Sequence, residues 1–320
     1  MSFTSTNTEH LTRSELWSTQ LKDILEDELY AQRYIRWLSD FPDGDLIHIP
    51  SIGQLEARDY AEGQAVQYSA MDTGDFTFQI TEYLEAGTYI TNKAKQDIYY
   101  SSQLISSFVP KQHRAIMKRM EVDALRVGPE GQTASDPNVI NGVAHRWVGT
   151  GTGQSISVED FARARLSLQK SNVPMTNLVA IVDPSVEFTF NTLSNFTNLS
   201  FNPAWEGIVR EGISTGMQFK VNIYGFDVYV SHNLKSGITD TIYSQAATDG
   251  VANLFFSAAG GDLNPFVGAI RQPVKVDSKY NMDFQRDEYV TTCRYGMKLY
   301  RPENMVVVIT DNTIADPTYA

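Results

Sequence analysis

The chain has 320 residues, enough for one large domain or two smaller ones, and its 42% hydrophobic and 20% charged content is ordinary for a globular protein. A formal net charge of −12 argues against a sequence-independent grip on DNA or RNA, which needs clustered Lys and Arg. A lone cysteine, Cys293, excludes an intramolecular disulfide framework and fits a reducing compartment.

Residues 13–39 are predicted helical, because Leu16, Trp17, Leu21, Ile24, Leu25, Leu29, Ile35 and Leu38 recur at three- and four-residue steps before Pro42-Asp43-Gly44. From Asp40 to Thr91 the pattern changes to strand, long polar tip, strand. Leu46–Ile49 runs out and Phe76–Thr81 returns with period-2 alternation, while Gly53–Asp75 is rich in Gly, Asp, Gln, Glu and Ser. A two-stranded ribbon of this length is marginal in water, so it must lie along another surface. Residues 92–127 form the longest helical region, re-entered at Pro110, with Ile116, Met120, Ala124 and Leu125 on a buried face and Gly128 as its stop. A loop-rich passage follows, finishing in Gly149-Thr150-Gly151-Thr152-Gly153.

Ser157 before Val158-Glu159-Asp160 has the form of an N-cap with acidic residues in the first turn, opening a helix to about Gln169. Leu178–Val182 is a five-residue apolar run, as expected of a strand buried on both faces. Phe188–Phe201 is predicted as a helix and loop. Met217–Ile223 and Phe226–Val230 form a hairpin about Gly225, and strands return at Val267–Val276, Tyr289–Tyr300 and Met305–Ile309. Helices and hairpins between strands indicate an α+β fold.

Candidate chemistry is sparse. Gly212-Ile213-Ser214-Thr215-Gly216 matches the G-x-S-x-G nucleophile elbow, with Asp227 and His232 following in the right order. The elbow needs a strand before Ser214 and a helix after it, whereas here a strand follows; a loop before a hairpin fits better. The Gly149–Gly153 run could cradle a phosphate, but no Lys follows it and no βαβ unit surrounds it, so a flexible hinge is preferred. His10, His48, His113, His145 and His232 are scattered without zinc spacing. The sequons at Asn195 and Asn198 count only in a secreted chain. No signal peptide opens this one and no window nears the ~18 apolar residues of a membrane helix. No catalytic residue, cofactor or metal is expected.

The order of parts resembles the major capsid protein of tailed bacteriophages, the Hong Kong 97-type capsid fold, over about Leu16 to Ile309. Glu121-Val122-Asp123-Ala124-Leu125-Arg126-Val127-Gly128 is similar to the end of its spine helix. Ser157–Leu166, Asn172-Val173-Pro174 and Leu178–Pro184 resemble the axial-domain helix and central strand. Tyr224–Leu234 resembles the axial hairpin, and Tyr289–Gly296 with Arg301-Pro302-Glu303-Asn304 the return through the peripheral domain. The resemblance implies an N-terminal arm (1–45), an extended loop (46–96), a peripheral domain with the spine helix (97–148) and an axial domain (149–264). Return strands (265–301) and a C-terminal strand and tail (302–320) complete it.

It also implies an icosahedral phage head: pentamers and hexamers enclosing double-stranded DNA, assembled in the host bacterial cytoplasm, without catalysis or membrane. Portal, a separate scaffolding protein and a decoration or cement protein are the implied partners, with packaged DNA touched only weakly. The separate scaffold is expected because the chain has no long helical N-terminal extension. Some relatives cross-link through an extended-loop Lys, but no Lys occurs between Lys22 and Lys93, so a non-covalent shell is expected. Its contacts are expected from Trp17, Leu55, Arg58, Asp59, Glu62, Val66 and Tyr68, with hinges at Gly149, Gly151, Gly153, Gly260 and Gly261. The alternatives are an encapsulin nanocompartment of the same fold and, more remotely, a cytosolic serine hydrolase using Ser214.

Overall fold

A computed structural model describes residues 29, 31–38, 44, 46–53, 59, 62, 73–97, 101–132, 135–192, 222–311 and 313. In chain order the elements begin with β1 (Ile35–Leu38), β2 (Leu46–Ile52), β3 (Thr73–Gln79), β4 (Glu82–Thr91), α1 (Asn92–Asp97) and α2 (Ser101–Glu130). Three short strands follow: β5 (Val139–Ile140), β6 (Val143–Ala144) and β7 (Arg146–Val148). Then come α3 (Val158–Lys170), β8 (Leu178–Val182), α4 (Pro184–Thr192), β9 (Asn222–Ile223) and β10 (Phe226–Val230). The chain continues through β11 (Thr241–Ile242), β12 (Gln245–Ala246) and β13 (Gly250–Ser257). It closes with β14 (Phe266–Asn281), β15 (Arg286–Leu299) and β16 (Val306–Asp311).

Two sheets organise these elements. A six-stranded mixed sheet has the order β7-β16-β13-β8-β10-β9, and a four-stranded sheet the order β1-β14-β15-β4. In the six-stranded sheet, β8 lies parallel to β10 and antiparallel to β13, and every residue from Leu178 to Val182 is buried. Period-2 alternation sends Leu178, Ala180 and Val182 against α3 and α4, and Val179 and Ile181 toward the end of α2 and the segment 234–247. On the α3 side Phe161 meets Phe190, Phe226 and Phe255 edge-on, with centroids 5.2, 6.2 and 4.9 Å away. Full burial of each such ring contributes about 2–3 kcal/mol, and the T-shaped geometry adds to it.

The strand β13, buried at all eight positions, was not expected from the sequence. Its one amide, Asn253, breaks the apolar run but is satisfied. Its Nδ2 donates to Val308 O (3.0 Å) and Thr310 Oγ1 (2.8 Å), and its Oδ1 accepts from Asp183 N (2.9 Å).

Helix α2 covers one face of the four-stranded sheet, with Ile116 and Met120 packed on Cys293 and Tyr295. Gln112 accepts from Thr291 Oγ1 (2.8 Å) and donates to Tyr289 O (3.0 Å), and Tyr295 OH donates to Asp123 (2.5 Å). Three expectations need correction. The helix predicted over 13–39 fails where it is described: residues 13–28 lie outside the described residues, Ala31–Tyr34 is a 3-10 turn, and Ile35–Leu38 is a strand parallel to Phe266–Ala269. β-branched Ile35 and aromatic Trp37 suit a sheet edge, and the Trp37 ring lies so close to Gly268 that a Cβ there would stand 2.6 Å from it. Pro110 is not in a first turn but ten residues into α2. Nor does Gly128 stop the helix, which runs to Glu130; Gly128 lets buried Met305 approach, and a Cβ would meet its Sδ at 2.5 Å.

The N-cap expected at Ser157 is present, closed by Asp160 into a reciprocal capping box. Of the expected strand Met217–Ile223, Asn222–Ile223 pairs antiparallel with Phe226–Asp227 across Tyr224-Gly225, and residues 217–221 lie outside the described residues. The last three strands are longer than predicted, and β14 with β15 makes a ribbon running on past Val276 to a turn at 282–285.

Candidate assembly surfaces

The first surface is the hairpin β2–β3, registered from Leu46 opposite Gln79 to Ile52 opposite Thr73. Alternation places Ile47, Ile49, Phe76 and Phe78 on one face. Phe78 is buried with Ile80 against Val267 and Ala269, Phe76 meets Tyr300 edge-on at 5.1 Å, and Lys298 Nζ donates to Thr77 O (2.8 Å). The base of the ribbon therefore lies along another surface, as expected, and that surface is β14 of the same chain. Four apolar side chains on one face are enough to dock it to β14. The opposite face carries Leu46, His48, Pro50 and Asp75, all exposed, with His48 Nδ1 2.7 Å from Asp75 Oδ2. Beyond the base, Asp59 and Glu62 are exposed; Leu55, Arg58, Val66 and Tyr68 lie outside the described residues, as does Trp17.

The second surface is the face of the four-stranded sheet turned away from α2. Pairing places Tyr83, Glu85, Gly87 and Tyr89 of β4 beside Arg294, Thr292, Val290 and Glu288 of β15, and Lys275, Asp277 and Lys279 continue the rows on β14. Tyr83 and Tyr89 are 58% and 57% exposed. At the ribbon's end Arg286 lies between two rings, 4.4 Å from the Tyr89 centroid and 4.7 Å from that of Phe284. Its Nε also donates to Glu288 (2.6 Å), whose carboxyl it holds below the ordinary range. Met282 and Phe284 in the turn are 80% and 65% exposed. Large apolar groups gathered at an exposed turn make it a candidate contact surface. Sequence reasoning missed these residues; the signal was the alternation Tyr83, Glu85, Gly87, Tyr89 and the apolar pair inside Asn281–Gln285.

The expected hinge glycines sit in two settings. Gly149 and Gly151 are enclosed: added Cβ atoms would stand 2.7 Å from Ser155 O in each case. Their loop is fastened to α3 by buried Asp160. Its Oδ1 accepts from Trp147 Nε1 and Thr150 Oγ1, and its Oδ2 from Thr150 N, Ser157 N and Ser157 Oγ, all within 3.1 Å. Gly153 is exposed at φ +66°. Gly260 and Gly261, at φ +92° and +59°, stand in open space on the crossing from β13 to β14. Beside them Asp262 pairs with Arg36 (2.5 Å). Buried Asn304 fastens both ends of that crossing, donating to Ser257 O (2.8 Å) and Leu263 O (2.6 Å).

The elbow serine, Ser214, lies outside the described residues; Asp227 is half-buried in β10 and His232 is exposed after it. Among the described residues no three His, Cys, Asp or Glu side chains gather as a metal site, and no helix is long and apolar enough to cross a membrane.

A family model described as "Phage capsid protein" matches residues 76–308. No curated protein matches the sequence. Among solved structures, the cyanophage P-SCSP1u capsid superposes with a TM-score of 0.70 at 13% identity, covering 94% of this chain and 93% of that one. The capsid of Ralstonia phage GP4 gives 0.68 at 10% identity over 99% and 100% of the two chains. A Mycobacterium phage Che8 chain gives 0.67 at 16% over 92% and 96%. Identities this low speak for the fold, which is the Hong Kong 97-type.

Proposed function

The chain belongs to the phage capsid protein family, and from that premise we propose that it closes an icosahedral head of hexamers and pentamers around double-stranded DNA. The observation that carries this reading is the family match across residues 76–308, which spans α2, the β14–β15 ribbon and the strands of both sheets apart from β1 and the end of β16. One geometric feature supports it: the turn at 282–285 that closes the β14–β15 ribbon exposes Met282 and Phe284, as contacts with neighbouring copies require. The chain acts as a wall component, without catalysis. A hexamer would carry 6 × −12 = −72 formal charges, which keeps the wall from adhering tightly to packaged DNA. Portal, scaffolding and decoration proteins are the partners such a shell calls for.

Contacts at the tip are taken to be non-covalent, with Arg58, Asp59 and Glu62 pairing across subunits and Leu55, Val66 and Tyr68 buried there. The lack of any Lys from Asp23 to Asn92 supports this, since the tip then has no amine nucleophile. Electron microscopy of the purified protein tests the reading: shells with hexamers and pentamers are expected, and a monomer at high concentration refutes it. Particles boiled in denaturing detergent should run as monomers; a ladder of covalent oligomers would contradict the non-covalent grip alone.

A further inference from the structure

The loop 147–158 and the segment 241–248, which holds the β11–β12 turn, contain no charged residue in a chain whose formal charge is −12. They are far apart in sequence but form one rim. Gln154 Nε2 donates to Ala246 O (2.6 Å), and Gln154 Oε1 accepts from Thr248 N (2.9 Å). Its base is rigid: Ile242 and Ala247 are buried in the core, Asp240 is paired with the buried guanidinium of Arg146, and Asp160 ties down the loop. Its outer edge shows Thr150, Thr152, Tyr243, Ser244, Gln245 and Thr248 to solvent.

Ten non-glycine residues among those described have positive φ, and four belong to this rim or its margin: Gln154, Tyr243, Ser244 and Asp249. Tyr243 and Ser244, at φ +48° and +65°, occupy both central positions of a two-residue hairpin turn where Asn-Gly is the unstrained choice. A bulky aromatic in that conformation is strained, and here it is 64% exposed, so packing among the described residues does not explain it. Tyr offers large contact area with few rotamers to freeze.

We propose that this neutral rim is a self-contact surface, at which adjoining copies of the chain meet through Tyr243. A second copy is the occupant that the charges favour. Subunits of like charge repel wherever their charged faces meet, and this stretch, bounded by the exposed Asp249, lets them approach without a charge of its own to desolvate. The proposal rests on the shell reading above and names one of its interfaces.

The test compares the full chain with Tyr243→Glu and Tyr243→Phe, and adds Ser244→Cys treated with a flexible bismaleimide. The native thiol, Cys293, is buried, and burial raises its pKa, so the introduced thiol is the one that reacts. Tyr243→Glu places like charges at the contact and should lower the yield of assembled particles about tenfold or more. Tyr243→Phe should assemble as the parent does, and Ser244→Cys particles should give cross-linked dimers and higher oligomers. Circular dichroism like that of the parent shows that the Glu variant folds. If it does not fold, the cross-linking arm decides. Parent chain that never assembles sinks the shell reading itself. Parent shells with undiminished Tyr243→Glu shells, or with no cross-link at Ser244→Cys, overturn the rim and leave the shell reading standing.

Discussion

Asp160→Asn tests whether a buried carboxylate holds the neutral loop to α3. Asp160 accepts five hydrogen bonds, from Trp147, Thr150 and Ser157. An amide of the same shape keeps one oxygen and replaces the other by a donor. With its NH2 at the Oδ1 position, the Thr150 hydroxyl can turn and accept, but the Trp147 indole N–H is left without an acceptor. Orphaning a buried N–H costs about 1–3 kcal/mol. The bonds that remain lose their charge assistance, which makes up roughly half their strength. Together the loss should come to about 3 kcal/mol, allowing for non-additivity within one cluster. Scaling unfolding entropy to this length gives about 0.7 kcal/mol/K, so calorimetry should show Tm falling about 4–5 °C at fixed protein concentration. Ser157→Ala, which removes the cap hydroxyl and spares the rest, should cost about 1 kcal/mol, or about 1–2 °C. The reasoning fails if Asp160→Asn costs no more than Ser157→Ala.

Gly128→Ala should destabilise by about 1–2 kcal/mol despite the ~1 kcal/mol helix-propensity gain, because its Cβ must displace the fully buried Met305 side chain. Adding Met305→Ala to it should cost less than the two changes summed; strict additivity in urea denaturation would remove the packing explanation. His145 is buried, hydrogen-bonded to Val143 O (3.0 Å) and Ser171 Oγ (2.9 Å), and burial pushes its pKa below the ordinary value. The unfolded imidazole takes its proton near pH 6.5 while the native one stays neutral, so stability present above that pH declines as pH drops below it. Between pH 7 and pH 5, His145→Gln should therefore lose less stability than the parent, and equal losses in both would count against this assignment.

Elements were legible in the sequence where one physical cause dominated the pattern. Leu178–Val182 reads correctly because both faces are buried, leaving an unbroken apolar run. The capping box at Ser157 is visible because its two bonds join residues three apart. Ile35–Leu38 misled because its partner, Phe266–Ala269, is more than 200 residues away, and four residues fit either period when that pairing is unknown. β13 was hidden by Asn253, whose amide looks like a loop residue until Asp183, Val308 and Thr310 are seen to satisfy it. The assembly residues were less legible still. Tyr83 and Tyr89 carry the alternation of any half-buried strand, and only the position of α2 shows that their face is left open.

Glycine is the sharpest case, because the same residue serves two opposite ends. It absorbs backbone change cheaply, and it also admits atoms that any side chain would exclude. A tract such as Gly149-Thr150-Gly151-Thr152-Gly153 suggests freedom when read alone. In the fold its first and third residues lie against Ser155 O with no space for a Cβ, and the Asp160 cluster grips the Thr between them. These glycines fit close packing better than movement. Gly260 and Gly261 have open space around them, but Asn304 fastens Ser257 on one side and Leu263 on the other. Whatever torsional freedom this crossing holds is confined between two fixed points, beside the exposed ion pair of Asp262 with Arg36. A rotation of one sheet against the other about this crossing would have to break the Asn304 bonds, and those are buried. The geometry therefore favours a rigid junction between the sheets over a hinge, and the irregularity lies instead in the long β14–β15 ribbon. The register of β14 against β15 already shifts twice there, between Ile270 and Lys275.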